Sequence, residues 1–126
     1  MKSHLTTSAP APIGPYSQCI EAAGFVFVSG QLPLDPATGD YPADDIKTLT
    51  ARSIENMRHV LEAAGTDLNH VVKTTIFITD MNDFSAINEV YSTYFSDHKP
   101  ARSVVAVRTL PKSSPIEIEC IAVKAD

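Results

Sequence analysis

Four consecutive apolar residues, Phe25-Val-Phe-Val28, constrain the fold more than any other stretch of the sequence. Successive side chains of a β-strand point to opposite faces, so a strand of this composition is apolar on both sides. A sheet that contains such a strand has to be covered on both of its faces. This strand follows a tight turn at Ala23-Gly24 and a predicted strand over Ser17–Ala22. Leu32–Asp35 is predicted as a third short strand.

Two amphipathic stretches predict helices downstream of these strands. The first helix begins at an N-cap in the pair Asp44-Asp45, continues for about twenty residues, and stops at Gly65. The second helix begins at an N-cap in the pair Asn82-Asp83 and is ended by Lys99-Pro100. Runs of β-formers predict three more strands, and the first of these is expected to place Val72, Thr74, Ile76 and Ile78 on one face. The three strands are Val71–Thr79, Ser103–Val107 and Ile116–Lys124.

The element order β-β-β-α-β-α-β-β predicts an α+β fold, with a mixed sheet of five or six strands and both helices on one face. The 126 residues fit a single domain, 1–126. Two helices cover one face of such a sheet, whereas Phe25–Val28 requires cover on both. We therefore expect another copy of the chain to cover the second face, which predicts a homo-oligomer.

The composition argues against several classes of protein. A net charge of −5 disfavours nucleic-acid binding, and the apolar runs are too short to span a membrane. Two cysteines, Cys19 and Cys120, form neither a disulfide framework nor a zinc site, which favours a reducing, cytoplasmic setting. The sequence contains no Gly-rich phosphate loop and no His-Glu-x-x-His motif, and its four histidines are expected to be solvated.

Arg102 and Glu117 are the residues whose position suggests chemistry. Arg102 follows Pro100 at the start of a strand, where a guanidinium can bind a carboxylate or phosphate, although a surface or interface charge has the same pattern. Glu117 and Glu119 alternate with apolar residues, so both point to one face. A glutamate at the rim of an apolar face suits a general base, and the alternative is a solvated strand face.

Motifs spread along nearly the whole chain, in matching order and spacing, resemble the RidA (YjgF) family. Each motif alone is weak, and the set is specific. The motifs that carry the resemblance are Ile13-Gly-Pro-Tyr16, Ser29-Gly30-Gln31, Pro33, Asp35-Pro36-Ala-Thr-Gly39, Ala63-Ala-Gly65, Val72-Lys-Thr-Thr75, Asp83-Phe84, Asn88, Pro100-Ala-Arg-Ser103 and Ile116-Glu-Ile-Glu119.

The resemblance implies a chorismate-mutase-like fold, a homotrimer whose sheets form a central barrel, and active sites in clefts between subunits. It also implies hydrolysis of enamine and imine intermediates, 2-aminoacrylate, 2-iminopropanoate and 2-iminobutanoate, to 2-keto acids and ammonia. Pyridoxal-phosphate enzymes release such intermediates. An iminium carbon is already electrophilic, so neither a metal nor a cofactor is expected.

By the same resemblance, Arg102 holds the substrate carboxylate and Glu117 activates the attacking water. Ser29 and Gly30 line the pocket, and Tyr16 closes it. The sequence around Tyr16 is also consistent with an ordinary packing residue whose hydroxyl is hydrogen-bonded.

Two further positions are expected at the site. Asn88 matches a position near it, although simple solvent exposure is the alternative. Val104 stands where many members carry a cysteine, and its backbone carbonyl is expected to help place the water. The loop before Pro100 is shorter than in many members, which is expected to alter pocket size.

Two other functions fit the same sequence. One is a non-catalytic, small-molecule-binding or regulatory trimer that uses the same inter-subunit pocket. The other, implied only by the resemblance, is RNA cleavage or translation inhibition, against which the acidic charge and the lack of a basic, aromatic surface count. Retention of Arg102 together with Glu117 favours the deaminase, because a binding protein does not need a carboxylate that activates water.

Overall fold

A computed structural model describes residues 1–125 as one mixed sheet with two helices. The elements in chain order are β1 (Lys2–His4), β2 (Cys19–Ala22), β3 (Phe25–Gln31), α1 (Ile46–Ala63), β4 (Val71–Ile78), α2 (Phe84–Tyr94), β5 (Ala101–Ala106) and β6 (Ile116–Val123). The strand order is β1-β2-β3-β6-β4-β5, in which β4 and β5 are parallel and every other neighbouring pair is antiparallel. This confirms the predicted α+β class and element order.

The third N-terminal strand is not the one predicted from the sequence. Leu32–Asp35 forms no strand, because the carbonyls of Leu32 and Leu34 accept hydrogen bonds from the Asn56 side chain. The missing strand is β1, which pairs with β2 from Lys2 opposite Glu21 to His4 opposite Cys19. A three-residue polar strand carries almost no periodic signal, so its pairing partner alone defines it.

Both helices begin near the predicted positions. The Asp45 carboxylate caps α1 by accepting a hydrogen bond from the Thr48 amide, and Gly65 follows the helix with a φ of 79°. Asp83 occupies the N-cap position of α2 without a side-chain cap bond. The prediction that Lys99-Pro100 ends α2 is wrong, since the helix stops at Tyr94.

The two faces of the sheet differ in what covers them. The helices pack on one face, where Val26, Ile76 and Ile118 are fully buried. The opposite face, here called the outer face, carries Phe25 paired with Val123 and Phe27 paired with Ile121. Phe25 and Phe27 are 40% and 44% exposed, respectively. The apolar residues on this face are therefore uncovered within one chain, as the alternation in Phe25–Val28 implies.

Two irregularities change which side chains share a face. The register between β3 and β6 shifts between Val28 and Gln31, so Ser29 and Gly30 form a bulge opposite β6. The register between β4 and β6 shifts between Val71 and Lys73. As a result Val71 is buried and Val72 is exposed, so the prediction that Val72 shares a face with Thr74 is wrong.

No helix within the described part of the chain, residues 1–125, is long and apolar enough to cross a membrane.

Candidate active site

Arg102 lies within β5 on the helix-covered side of the sheet. Its cross-strand partner on β4 is Thr74, a fully buried residue. The Arg102 guanidinium donates a hydrogen bond from Nη1 to Oδ1 of Asn88, over 2.7 Å. Its central carbon lies 4.8 Å from the ring centroid of Tyr91 and 5.7 Å from that of Phe84. The three contacts hold a cation against α2 through one hydrogen bond and two aromatic faces.

A cavity of about 280 Å³ opens beside this guanidinium. Its lining combines two cationic side chains, Lys99 and Arg102, with the polar Asn88 and Ser92. Val104 lies two residues further along β5 on the same side and packs against the core. The cavity thus offers positive charge and hydrogen-bond donors, which suit a carboxylate.

Glu117 lies in β6 and points to the outer face, in a row with Phe77 of β4. Burial raises the pKa of the Glu117 carboxyl above its ordinary value, and the neighbouring charge of Glu119 raises it further. Among residues 1–125, no side chain or amide donates a hydrogen bond to this carboxylate. A half-buried carboxylate without a donor holds a proton more readily than a solvated one, as a general base near neutral pH requires.

The bulge in β3 brings the backbone close to Glu117. A Cβ atom on Gly30 would lie 2.7 Å from Cδ of Glu117 and 2.8 Å from its Oε2, which is closer than van der Waals contact allows. Glycine at this position therefore leaves the space that the carboxylate occupies. The Ser29 hydroxyl donates a hydrogen bond to the Ser17 carbonyl over 2.5 Å, so it is already used within the chain.

A second cavity, of about 570 Å³, lies over Glu117. Ser29, Gly30 and the half-exposed Tyr16 line it, as the resemblance implies, together with a wall of apolar residues. The members of that wall are Pro10, Ala11, Ile13, Leu32, Leu34 and Pro111. The cavity is therefore apolar apart from the carboxylates of Glu117 and Glu119 and a few neutral polar groups.

Sequence reasoning missed two buried amides that hold the wall in place. The Gln18 amide group donates hydrogen bonds to the carbonyls of Thr6 and Pro10 and accepts one from the Thr6 amide. The Asn56 amide group donates to the carbonyls of Leu32 and Leu34. The available signal for Asn56 was a polar residue directly beside Met57 in the apolar stripe of α1.

The structure does not bring Arg102 and Glu117 together within one chain. Arg102 pairs with Thr74, and Glu117 pairs with Phe77, three residues further along β4. Because side chains alternate along a strand, residues opposite Thr74 and residues opposite Phe77 point to opposite faces of the sheet. The cation and the carboxylate thus line two separate cavities, one on each side of the sheet.

No group of three or more His, Cys, Asp and Glu side chains in the described residues, 1–125, is arranged to hold a metal ion.

Comparison with known proteins relates most of the chain to one family. The family model described as Endoribonuclease L-PSP matches residues 6–124. A RutC family protein of Pyrococcus horikoshii is 54% identical over 119 residues, which cover 94% of each chain. The 2-iminobutanoate/2-iminopropanoate deaminase of Salmonella typhimurium is 45% identical over 126 residues, 98% of each chain.

Among solved structures, that of Escherichia coli TdcF with bound serine superposes with a TM-score of 0.94 at 44% identity. The match covers 99% of this chain and 100% of the TdcF chain. Sequence and structure thus relate the whole of this fold to the same group of proteins.

Proposed function

The chain belongs to the Endoribonuclease L-PSP (RidA/YjgF) family, and from this membership we propose that it hydrolyses reactive imines to 2-keto acids and ammonia. The proposed substrates are 2-iminopropanoate, which is the tautomer of 2-aminoacrylate, and 2-iminobutanoate. The observation that carries the proposal is the Glu117 carboxylate, which is half-buried beside a cavity and has no hydrogen-bond donor among residues 1–125. A ligand-binding protein gains nothing from desolvating a carboxylate in this way, whereas a general base does.

In the proposed reaction, Arg102 binds the substrate carboxylate and leaves the iminium carbon facing a water molecule. Glu117 takes a proton from that water molecule while the oxygen of the water adds to C2 of the substrate. The electron pair of the C=N double bond moves to the nitrogen. Glu117 then returns the proton to the amine nitrogen. The C–N bond breaks as the hydroxyl gives its proton to Glu117, and the departing ammonia takes that proton from Glu117, which releases the 2-keto acid and ammonium. Tyr16, Ser29 and Gly30 line the cavity around the reacting atoms, and the carbonyl of Val104 helps to place the water.

We further propose that the working site forms between two copies of the chain in a homotrimer. Arg102 and Glu117 lie on opposite faces of one sheet. Within a single chain, the carboxylate-binding residue and the base therefore line different cavities. Association through the outer face would cover Phe25 and Phe27 and form the central barrel that the family resemblance implies. One subunit would then offer its Arg102 to the Glu117 of its neighbour.

The chemistry of the substrates also suggests a setting. Enamines and imines of this kind leave pyridoxal-phosphate enzymes that act on serine or threonine. Both cysteines, Cys19 and Cys120, are free and buried, in keeping with a reducing compartment. We therefore propose that the protein works in the cytoplasm on the products of such enzymes, without a cofactor of its own.

The proposal is tested by generating 2-aminoacrylate with a serine dehydratase and following keto-acid release with and without this protein. Acceleration by the wild type is expected, and Arg102→Ala and Glu117→Gln are each expected to abolish it. If the wild-type protein assembles normally and does not accelerate keto-acid release, the protein is not an imine deaminase. Glu117→Gln that turns over like wild type would remove Glu117 from its role as base.

A second candidate is the non-catalytic, small-molecule-binding or regulatory trimer. One observation favours it: the relative TdcF was crystallised with serine, a small molecule that carries a carboxylate. Binding of serine or 2-oxobutanoate to the wild type, measured by calorimetry, together with no acceleration of imine hydrolysis, is the result that would favour this function over the deaminase.

A further inference from the structure

We propose that Asn88 and Tyr91 are positioning residues, which hold the Arg102 guanidinium in the orientation that binds a carboxylate. The proposal rests on the proposed function in one respect, namely that the ligand carries a carboxylate. It assigns to Asn88 a role through Arg102 in place of direct contact with the substrate. It also adds Tyr91, a buried residue of α2.

The contacts come from a single stripe of α2. Phe84, Asn88 and Tyr91 are spaced four and three residues apart, so their side chains share one face of the helix. That face meets β5 where Arg102 leaves the sheet, and all three side chains contact its guanidinium. An arginine side chain has four rotatable bonds and loses much conformational freedom when it is fixed. The α2 stripe therefore fixes it before any ligand arrives.

The hydrogen bond to Asn88 leaves the guanidinium able to bind an anion. A guanidinium has five N–H donors, and within the described chain Arg102 uses Nη1 in a single hydrogen bond. The acceptor is a neutral amide oxygen, so the positive charge of Arg102 is not cancelled. A carboxylate at position 88 would hold the same donor and also neutralise the charge that the ligand requires.

Tyr91 is itself fixed by a second hydrogen bond. Its hydroxyl lies 2.8 Å from Oγ1 of Thr74, the residue directly opposite Arg102 on β4. The Tyr91 side chain is buried and its ring packs 4.7 Å from that of Phe95, centroid to centroid. A ring anchored at both ends offers a flat, rigid surface for the guanidinium plane. The β4–β5 pairing and the α2 packing thus fix the same arginine from two sides.

The test compares a carboxylate probe with a neutral analogue of the same shape. Binding of 2-oxobutanoate and of 2-oxobutanamide is measured by calorimetry for wild type, Asn88→Ala and Asn88→Asp. For Asn88→Ala we expect 2-oxobutanoate to bind about fivefold to tenfold more weakly, with amide binding unchanged. For Asn88→Asp we expect a larger loss, again confined to the carboxylate probe, because the new charge pairs with Arg102.

Controls separate positioning from general damage. Thr93→Ala, on the exposed side of α2, should bind both probes like wild type, and Arg102→Ala should lose the preference for the carboxylate probe. Tyr91→Phe retains the ring and should keep most of the preference, whereas Tyr91→Leu should reduce it. If Asn88→Ala weakens the binding of both probes equally, or weakens the binding of neither, the proposal is overturned.

The same experiment distinguishes this inference from the proposed reaction. Wild type that prefers 2-oxobutanoate over its amide in an Asn88-dependent manner, and yet does not hydrolyse imines, would contradict the deaminase and leave the positioning roles standing. Wild type that binds both probes equally would show that Arg102 does not bind carboxylates, which would overturn the positioning roles directly.

Discussion

At the scale of single residues, the state of the Glu117 carboxylate depends on two neighbours, Gly30 and Glu119. Gly30 leaves the space that the carboxylate fills, burial there raises the pKa of Glu117, and the like charge of Glu119 raises it further. The sequence indicated a glutamate whose charged form is disfavoured, since Glu117 stands at the rim of an apolar face. It did not indicate the contact with Gly30, because that contact depends on a bulge in the register of β3 with β6.

Substitution of Gly30 by alanine is expected to displace Glu117 while leaving the fold intact. The added Cβ would lie 2.7 Å from Glu117 Cδ, so the carboxylate has to move. A displacement of this order lowers kcat by about tenfold to a hundredfold when the displaced group is the catalytic base. Gly14→Ala is the matched control, since its Cβ would lie 3.7 Å from the Tyr16 ring, an ordinary contact. Steady-state kinetics in which Gly30→Ala equals wild type would contradict this role.

The pH dependence of activity should report the raised pKa of Glu117. A general base works when deprotonated, so kcat/KM should rise with pH through a midpoint above the ordinary carboxyl value. Glu119→Gln removes a negative charge that raises this pKa, so the midpoint should move to lower pH. A pH–rate profile whose acidic limb is the same for wild type and Glu119→Gln would exclude this coupling.

The raised pKa of Glu117 should also make the stability of the fold depend on pH. A carboxyl whose pKa is higher in the folded than in the unfolded chain binds more protons when folded, so stability falls as pH rises through that interval. Above the interval, Glu117→Gln should therefore have a higher Tm than wild type, and the difference should shrink as the pH is lowered. A Tm difference that stays constant as the pH is lowered from neutral into the acidic range would contradict this.

At the scale of elements, the structure follows the sequence wherever a periodic pattern and a local stop signal coincide. Helix α1 is the clearest case, because its apolar stripe lies between a capping Asp45 and a left-handed Gly65. The pattern failed at Leu32–Asp35, where Asn56 takes carbonyls that a neighbouring strand would otherwise bind. No local pattern encodes a bond between residues more than twenty positions apart.

Asn56 should accordingly matter more for stability than its polar character suggests. Asn56→Ala leaves the carbonyls of Leu32 and Leu34 without their donor, which should lower the free energy of unfolding by about 2–3 kcal/mol. Arg52→Ala is the matched control, because Arg52 also bonds to Asn56 but from a partly exposed position, and its loss should be smaller. Urea denaturation at one fixed protein concentration measures both. Equal effects of the two variants would contradict the role of Asn56.

At the scale of the whole molecule, each chain holds both halves of the candidate site and keeps them apart. Residue types and the family resemblance pointed to Arg102 and Glu117 as the candidate site residues. Their separation could not be predicted, since it depends on the strand order β6-β4-β5 and on which face each residue occupies. In the proposed homotrimer, a second copy would cover the exposed Phe25 and Phe27 and complete the site.

This separation predicts that two inactive variants restore activity when they assemble together. Arg102→Ala retains Glu117, and Glu117→Gln retains Arg102, so a site between unlike neighbours receives one intact residue from each. Each mixed trimer has one wild-type site, so about a third of the sites in isolated mixed trimers should be restored. The variants are co-expressed with different tags, mixed trimers are isolated by tandem affinity, and imine hydrolysis is measured against each variant alone. Mixed trimers that are as inactive as the single variants would contradict a site shared between subunits. Either Arg102 and Glu117 would then act in one site of the same chain, contrary to the faces that they occupy on β5 and β6, or one of them would not take part in catalysis.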